Sequence, residues 1–289
     1  MKTFVNINGK IYNKEEAKIS VFDRAVLYGD GVYETLRSYA GKIFLFEEHY
    51  TRLLASLKSL YIHFPLSKEE LFKEMEKTID ATGCSDTMIR LIISRGISSI
   101  NLNPAESKSH TLIIIVEPYK PFPKELYEKG ASLIISTIRR NSPMSLNPSI
   151  KSLNLLNNFL AYKEAIENKA FDALFLSVDG YIAEGTTFNV FWVKNGQLYT
   201  SADEVGILLG TTRQVIIDLA SKEHIKINKG FYRREDLLNA DECFITSTLK
   251  EVMPVCQIDG KKIGIECPGA MTLKIMALFK ERIMNFINS

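Results

Sequence analysis

Asp179-Gly-Tyr-Ile-Ala-Glu-Gly-Thr-Thr-Phe-Asn-Val-Phe191 holds a turn dipeptide, a short apolar-alternating strand, a run of small polar residues and a return strand. Four similar steps, Asn8-Gly9, Ala40-Gly41, Asn195-Gly196 and Asp259-Gly260, each lie between short apolar-alternating runs. Such dipeptides tolerate the positive φ of tight hairpin turns, so antiparallel sheet recurs in both halves of the chain. Helical spacing of apolar residues appears at 47–60, where Leu53, Leu54, Leu57 and Leu60 share a face, and at 68–81. The same reading predicts helices over 155–168, 212–223 and 271–286. Long β runs separated by isolated helices make this an α+β chain.

Three prolines in Glu117-Pro-Tyr-Lys-Pro-Phe-Pro123 follow an apolar strand and read as a stiff connector. We therefore expect a small N-terminal α+β domain over 1–117, a linker over 118–124, and a larger domain over 125–289 that contains Lys151. At 289 residues, with 46% hydrophobic and 24% charged, the chain has the composition of a globular protein with a proper core. A net charge of +2 gives no electrostatic footprint for nucleic acid or an anionic membrane. The longest apolar runs, such as Leu112-Ile-Ile-Ile-Val116, have strand length, and the N-terminus lacks a signal-peptide core, so a cytoplasmic protein is expected. Cys84, Cys243, Cys256 and Cys267 form no CxxC pair, and the four histidines have no metal-ligand spacing, so we expect free thiols and no metal.

Lys151 sits in Pro148-Ser-Ile-Lys-Ser-Leu-Asn-Leu-Leu-Asn-Asn158, a lone cation among apolar and small residues just before a helical pattern. Burial disfavours an ammonium, so a lysine in such a setting can become a neutral amine able to form a Schiff base with an aldehyde. A solvated surface charge is the other reading of a single lysine, and its partners decide between them. Glu184, framed by Gly185, is suited to a cationic nitrogen or to a solvated turn. Gly210-Thr211-Thr212-Arg213 opens a helical pattern, which offers free amides and two hydroxyls to a phosphate or, equally, a plain N-cap. Thr246-Ser247-Thr248 is a second hydroxyl cluster, and Arg52 is a planar fork for a phosphate or a surface salt bridge. Together these supply an imine-forming lysine, a carboxylate for a ring nitrogen, and an arginine with hydroxyls for a phosphate, the contacts that pyridoxal phosphate needs.

Six segments in order resemble the class IV aminotransferases, a family that includes branched-chain and D-amino acid aminotransferases and aminodeoxychorismate lyase. They are Tyr28-Gly-Asp-Gly-Val-Tyr33-Glu, Glu48-His-Tyr-Thr-Arg52-Leu, Ile150-Lys151-Ser-Leu-Asn, Glu184-Gly-Thr-Thr-Phe-Asn189-Val-Phe, Leu209-Gly-Thr-Thr-Arg213 and Thr246-Ser-Thr-Leu-Lys-Glu251-Val-Met-Pro254. The resemblance implies a two-domain fold type IV enzyme, a homodimer with pyridoxal 5′-phosphate between its domains. It implies that Lys151 carries the Schiff base and moves the proton, and that Glu184 pairs with the pyridine nitrogen. Arg52, Thr211, Thr212 and Thr248 would hold the phosphate. Tyr33 and Leu249 would line the substrate pocket, Arg90 matches a carboxylate-binding arginine by position, and Arg37 is a substrate-side arginine or equally a surface residue on a hairpin.

The departures from the family pattern bear on substrate. Branched-chain enzymes carry a tyrosine four or five residues after the lysine, where this chain has Leu155 and Leu156. D-amino acid enzymes carry an Arg-x-His pair after the strand that here ends at Arg95-Gly96, where this chain reads Ile97-Ser-Ser-Ile-Asn-Leu-Asn-Pro104. Thr246-Ser-Thr leans to the D-enzymes; Arg37 and Arg90 lean to the branched-chain group. The expectation is transamination between an aliphatic, branched-chain-type amino acid and a 2-oxo acid such as 2-oxoglutarate, with D-amino acid transamination second and the lyase third. A cofactor-binding protein without turnover is the alternative from another class.

Overall fold

A computed structural model describes residues 2–107 and 109–289. The chain divides into two compact units, Met1–Lys120 with Ile150–Asn154 and Ser289, and Pro121–Ser149 with Leu155–Asn288. The main division thus falls inside the proline-rich stretch.

Unit one runs β1 (Phe4–Ile7), β2 (Lys10–Asn13), α1 (Arg24–Tyr28), β3 (Gly31–Tyr39), β4 (Lys42–Ile43), α2 (Phe46–Ser59), α3 (Lys68–Thr82), β5 (Thr87–Ser94) and β6 (Thr111–Pro118). Its strands form one antiparallel sheet in the order β2-β1-β6-β5-β3-β4. The Asn8-Gly9 and Ala40-Gly41 steps make the two tight hairpins, each with both φ values positive. Ser67 and Glu70 start α3 as a reciprocal capping box, the serine hydroxyl accepting from the Glu70 amide and the glutamate from the Ser67 amide.

Strand alternation then sorts the side chains. Val32 and Leu36 of β3, Ile89, Leu91 and Ile93 of β5, and Leu112 and Ile114 of β6 pack with Leu53 and Leu57 of α2 and Leu71, Met75 and Ile79 of α3. Each such side chain contributes about 1.5–3 kcal/mol of apolar transfer energy. Tyr33, Thr35 and Arg37, paired with Ile92, Arg90 and Met88, occupy the alternate positions and project from the opposite face.

The sequence reading puts Lys151 in the C-terminal domain, but Ile150–Asn154 belongs with unit one. The reason is backbone pairing onto the start of β3. The Tyr33 amide donates to the Lys151 carbonyl at 2.9 Å, the Leu153 amide donates to the Gly31 carbonyl at 3.0 Å, and Val32 bridges Ser152. The Ser56 hydroxyl of α2 accepts from the Lys151 amide at 3.1 Å.

Unit two runs α4 (Lys124–Glu128), β7 (Ala131–Ile135), α5 (Leu156–Glu167), β8 (Asp172–Leu176), β9 (Ile182–Gly185), β10 (Asn189–Lys194), β11 (Gln197–Ser201), α6 (Thr211–Lys222), β12 (Ile227–Gly230), α7 (Arg234–Leu238), β13 (Glu242–Ser247), β14 (Glu251–Ile258), β15 (Lys261–Lys262) and α8 (Ala270–Asn288). Its sheet has the order β12-β11-β10-β13-β14-β7-β8-β9, with β15 on β14. Three pairings, β11 with β12, β7 with β14 and β7 with β8, are parallel. Turn dipeptides announce only hairpins, whereas α5 and α6 are crossovers between parallel neighbours. Trp192, Phe188, Leu174, Ile245, Met253 and Val255 fill the core on one face, and Phe191 stacks on Phe244 at 5.2 Å on the other.

The five long helices begin and end within one or two residues of the spacing that predicts them. The five-residue helices α1, α4 and α7 were not anticipated, because so short a segment shows no period. Among the described residues no helix is long and apolar enough to cross a membrane.

Gly31 is the contact point of three chain segments. A Cβ there would lie 2.7 Å from the Ile93 carbonyl oxygen, 2.8 Å from Leu153 and 2.9 Å from the Ser94 Cα. Gly31→Ala is expected to destabilise the protein by about 1–3 kcal/mol, read as a lower denaturant midpoint; an unchanged midpoint would show that the Lys151 strand is not packed this closely.

Candidate active site

In unit one the Lys151 amine lies 4.5 Å from the centre of the Tyr33 ring, and the Arg90 guanidinium lies 4.4 Å from the same ring. Tyr33 on β3 and Arg90 on β5 reach each other because they project from the same sheet face. Burial opposes ionisation of Tyr33, but the Lys151 and Arg90 charges outweigh it and bring the phenol below the usual tyrosine range. Arg37 is four residues farther along β3, roughly 13 Å. Its guanidinium stacks on Tyr119 at 3.5 Å and Tyr39 at 4.1 Å.

Glu34, next to Tyr33, projects to the helix side. Its carboxylate accepts two hydrogen bonds from Arg52, from Nε at 2.8 Å and Nη2 at 2.7 Å, and contacts His49 Nδ1 at 2.8 Å. Arg52 is therefore not a surface salt bridge but one half of a buried bidentate pair. Burial raises the Glu34 pKa, yet Arg52 and His49 more than offset it and hold the carboxyl well below its usual range. Burial lowers the His49 pKa, and Glu34 only partly opposes this.

In unit two Glu184, at the end of β9, is only 4% exposed rather than a solvated turn residue. Arg140 Nε donates to its Oε1 at 2.8 Å, the Leu208 amide to its Oε2 at 2.9 Å, and Asn189 Nδ2 to Oε2 at 3.4 Å. Arg140 is in turn held by the side-chain carbonyls of Asn157 and Asn158, at 3.0 and 3.3 Å. Thr211 and Thr212 are buried in the first turn of α6, whose N-cap, Gly210, provides no side-chain hydrogen bond. A Cβ on Gly210 would lie 2.1 Å from Asn189 Oδ1, so the helix start is pressed against the strand that follows Glu184. Asn189 pairs across the sheet with Thr246, whose buried hydroxyl has no partner among the described residues. Thr248 and Leu249 are half-buried in the turn between β13 and β14.

The family model for amino-transferase class IV matches residues 31–258. The chain belongs to the class IV aminotransferase family. It is 40% identical to a putative branched-chain-amino-acid aminotransferase of Methanocaldococcus jannaschii over 96% of this chain and 95% of that protein. It is 35% identical to the aminodeoxychorismate lyase of Bacillus subtilis over 98% and 96%. Its structure matches the Escherichia coli branched-chain amino acid aminotransferase with a TM-score of 0.93 and 30% identity, covering 97% of this chain and 94% of that one.

Class IV aminotransferases use pyridoxal phosphate, and the donors of this member fit it. A lysine amine beside an aromatic ring suits the aldehyde, and a buried carboxylate suits a protonated ring nitrogen. The uncapped start of α6 and the unpartnered Thr246 hydroxyl are donors of the kind a phosphate takes. Sequence reasoning missed Glu34, His49, Arg140 and Asn189 as parts of these clusters. Glu34 and Asn189 lie inside motifs quoted for their neighbours, so strand parity would have pointed to Glu34 as the partner of an α2 residue. Arg140 carries no local signal.

Because the folded Glu34 pKa is depressed, its stabilisation is present above the unfolded carboxyl value and disappears as pH falls through the folded one. Wild-type melting temperature should therefore fall as the pH drops below about 4.3. Glu34→Gln should cost about 3–5 kcal/mol at neutral pH, because it leaves Arg52 without its counter-ion, and should flatten that acid limb. An acid limb identical in the two proteins would exclude Glu34 as its source.

Proposed function

We propose that this aminotransferase moves an amino group between an aliphatic, branched-chain-type amino acid and a 2-oxo acid such as 2-oxoglutarate. The observation that carries the reading is the Lys151 amine at 4.5 Å from the Tyr33 ring with Arg90 on the same ring, an amine and a carboxylate-binding group set side by side. When bound, pyridoxal 5′-phosphate supplies an aldehyde for amines and a ring that withdraws electrons from the substrate Cα. Lys151 would hold the aldehyde carbon at rest. Released as a neutral amine, it would take the proton from Cα and deliver it to C4′. Glu184 would hold the proton at the pyridine nitrogen, and Arg140 would keep its carboxylate aimed. Arg52, Thr211, Thr212 and Thr248 would hold the phosphate, with Glu34 fixing the Arg52 fork.

Tyr33, Arg90 and Leu249 would meet the substrate, with Arg37 a more distant cation on the same strand face. The position expected for the family's tyrosine holds Leu155 and the exposed Leu156, and Arg140 is the polar group we assign to that side of the Glu184 cluster. A homodimer belongs to the proposal: Val21, Phe22, Val26, Ile97, Ile100 and Leu102 are exposed apolar side chains on the turn before α1, on α1 itself and on the loop hydrogen-bonded to both, which a second copy would cover. D-amino acid transamination stays the second reading and the lyase the third, the latter supported by the 35% identity to the Bacillus subtilis lyase.

Stoichiometric mixing of the cofactor-loaded protein with L-valine, L-glutamate, D-alanine and aminodeoxychorismate separates these readings. L-valine and L-glutamate are expected to shift the visible absorbance and yield the matching 2-oxo acids. A response to D-alanine or aminodeoxychorismate alone would replace the first reading, and no response to any would leave a binding protein. Lys151→Ala should abolish the bound chromophore and turnover; retention of either would remove Lys151 from its role.

A further inference from the structure

Lys250 lies within the motif Thr246-Ser-Thr-Leu-Lys-Glu251, next to the turn that carries Thr248 and Leu249. It is only 7% exposed. Its ammonium donates to the Thr187 hydroxyl at 2.7 Å and lies 3.5 Å from Asp172 Oδ2. The rings of Phe188, Phe122 and Phe171 surround it at 5.5, 5.8 and 5.8 Å. Asp172 Oδ1 accepts from the Thr186 hydroxyl at 2.6 Å and from the Ala173 amide at 2.8 Å. The Tyr127 hydroxyl donates to the Lys250 carbonyl at 3.2 Å. Burial pulls the Lys250 pKa below the ordinary lysine range, with Asp172 working against it.

A buried ion pair contributes little net stability, because desolvation offsets most of the attraction between the charges. What this pair supplies is position. It joins three places: the start of β8, the turn at 186–187 two residues after Glu184, and the turn that carries Thr248 and Leu249. That last turn ends at Glu251 with φ +53°, a left-handed conformation that a non-glycine residue keeps only when its surroundings over-determine it. The buried ammonium one residue earlier is such an anchor.

We propose that Lys250, through Asp172, Thr186 and Thr187, is a positioning residue that fixes the Thr248-Leu249 turn against the strand end bearing Glu184. The proposal rests on the reading that Thr248 and Glu184 hold the cofactor. It makes no contact between Lys250 and the cofactor itself. Removing the cluster should loosen the cofactor grip while leaving the fold of the apoprotein in place.

The test strips the cofactor from the full-length wild type, from the double variant Lys250→Met with Asp172→Asn, and from Thr187→Val. The double variant removes both charges together and so strands neither; Thr187→Val keeps both charges and deletes only the 2.7 Å hydrogen bond. Pyridoxal 5′-phosphate is then titrated back by its visible absorbance, the apoprotein melting temperature is recorded, and kcat and KM for the amino donor are measured at saturating cofactor. We expect the cofactor dissociation constant to rise about tenfold or more in the double variant and roughly threefold in Thr187→Val, with apoprotein melting held and kcat falling more than KM rises. Cofactor affinity within about twofold of wild type in both variants would overturn the proposal. So would affinity and apoprotein melting falling together in both, which would make the cluster a stability device. A wild type that neither binds the cofactor nor transaminates would instead sink the proposed function, whatever the variants do.

Discussion

Two backbone hydrogen bonds, from Tyr33 to the Lys151 carbonyl and from Leu153 to the Gly31 carbonyl, govern much of what this chain can do. They dock an irregular five-residue segment as an extra rung on β3. A lysine on a free loop would sample many rotamers in water; one whose backbone is paired to a buried strand and tied to Ser56 holds its amine at one place over the neighbouring tyrosine. The pairing works only because Gly31 leaves room for the β5 backbone on one side and Leu153 on the other. Rigidity at the Lys151 amine thus comes from main-chain geometry.

Within each unit the protein holds buried charge in neutral combinations. Glu34 is matched by Arg52, Glu184 by Arg140, and Lys250 by Asp172. Such pairs are poor sources of net stability, since each ion gives up its hydration to form them. Their value is directional: a bidentate fork or a doubly hydrogen-bonded carboxylate has one orientation, and long side chains with a single orientation make a reproducible binding surface. The assigned cofactor groups, Arg52 and Glu184, are each one member of such a pair, so the partner decides where the charge points.

The legible part of the sequence is the part written locally. Helical spacing found α2, α3, α5, α6 and α8, and the Asn8-Gly9, Ala40-Gly41, Asn195-Gly196 and Asp259-Gly260 steps form hairpins with both φ values positive. Asp179-Gly180 behaves differently, with only the glycine positive, because Ser177 to Tyr181 closes a longer turn. The parallel pairs of unit two escaped notice because a crossover through a helix leaves no dipeptide signature. Of the site, Lys151, Glu184, Arg52 and the threonines stood out by residue type and motif, but their counter-ions did not. Glu34 reaches Arg52 across 18 residues, and Arg140 reaches Glu184 across 44, distances over which periodicity says nothing.

Sequence by itself determined the five long helices and their approximate ends, the turn chemistry and, through six ordered motifs, the family. These follow from backbone preferences and residue chemistry, which act over a few residues. Tertiary structure decided that Lys151 belongs to the first unit, that Glu34 and Tyr33 serve opposite faces of one strand, and that Arg52 and Glu184 each have a buried partner. Those outcomes depend on strand register and on which charges must be neutralised once water is removed, and neither is defined until distant segments pack.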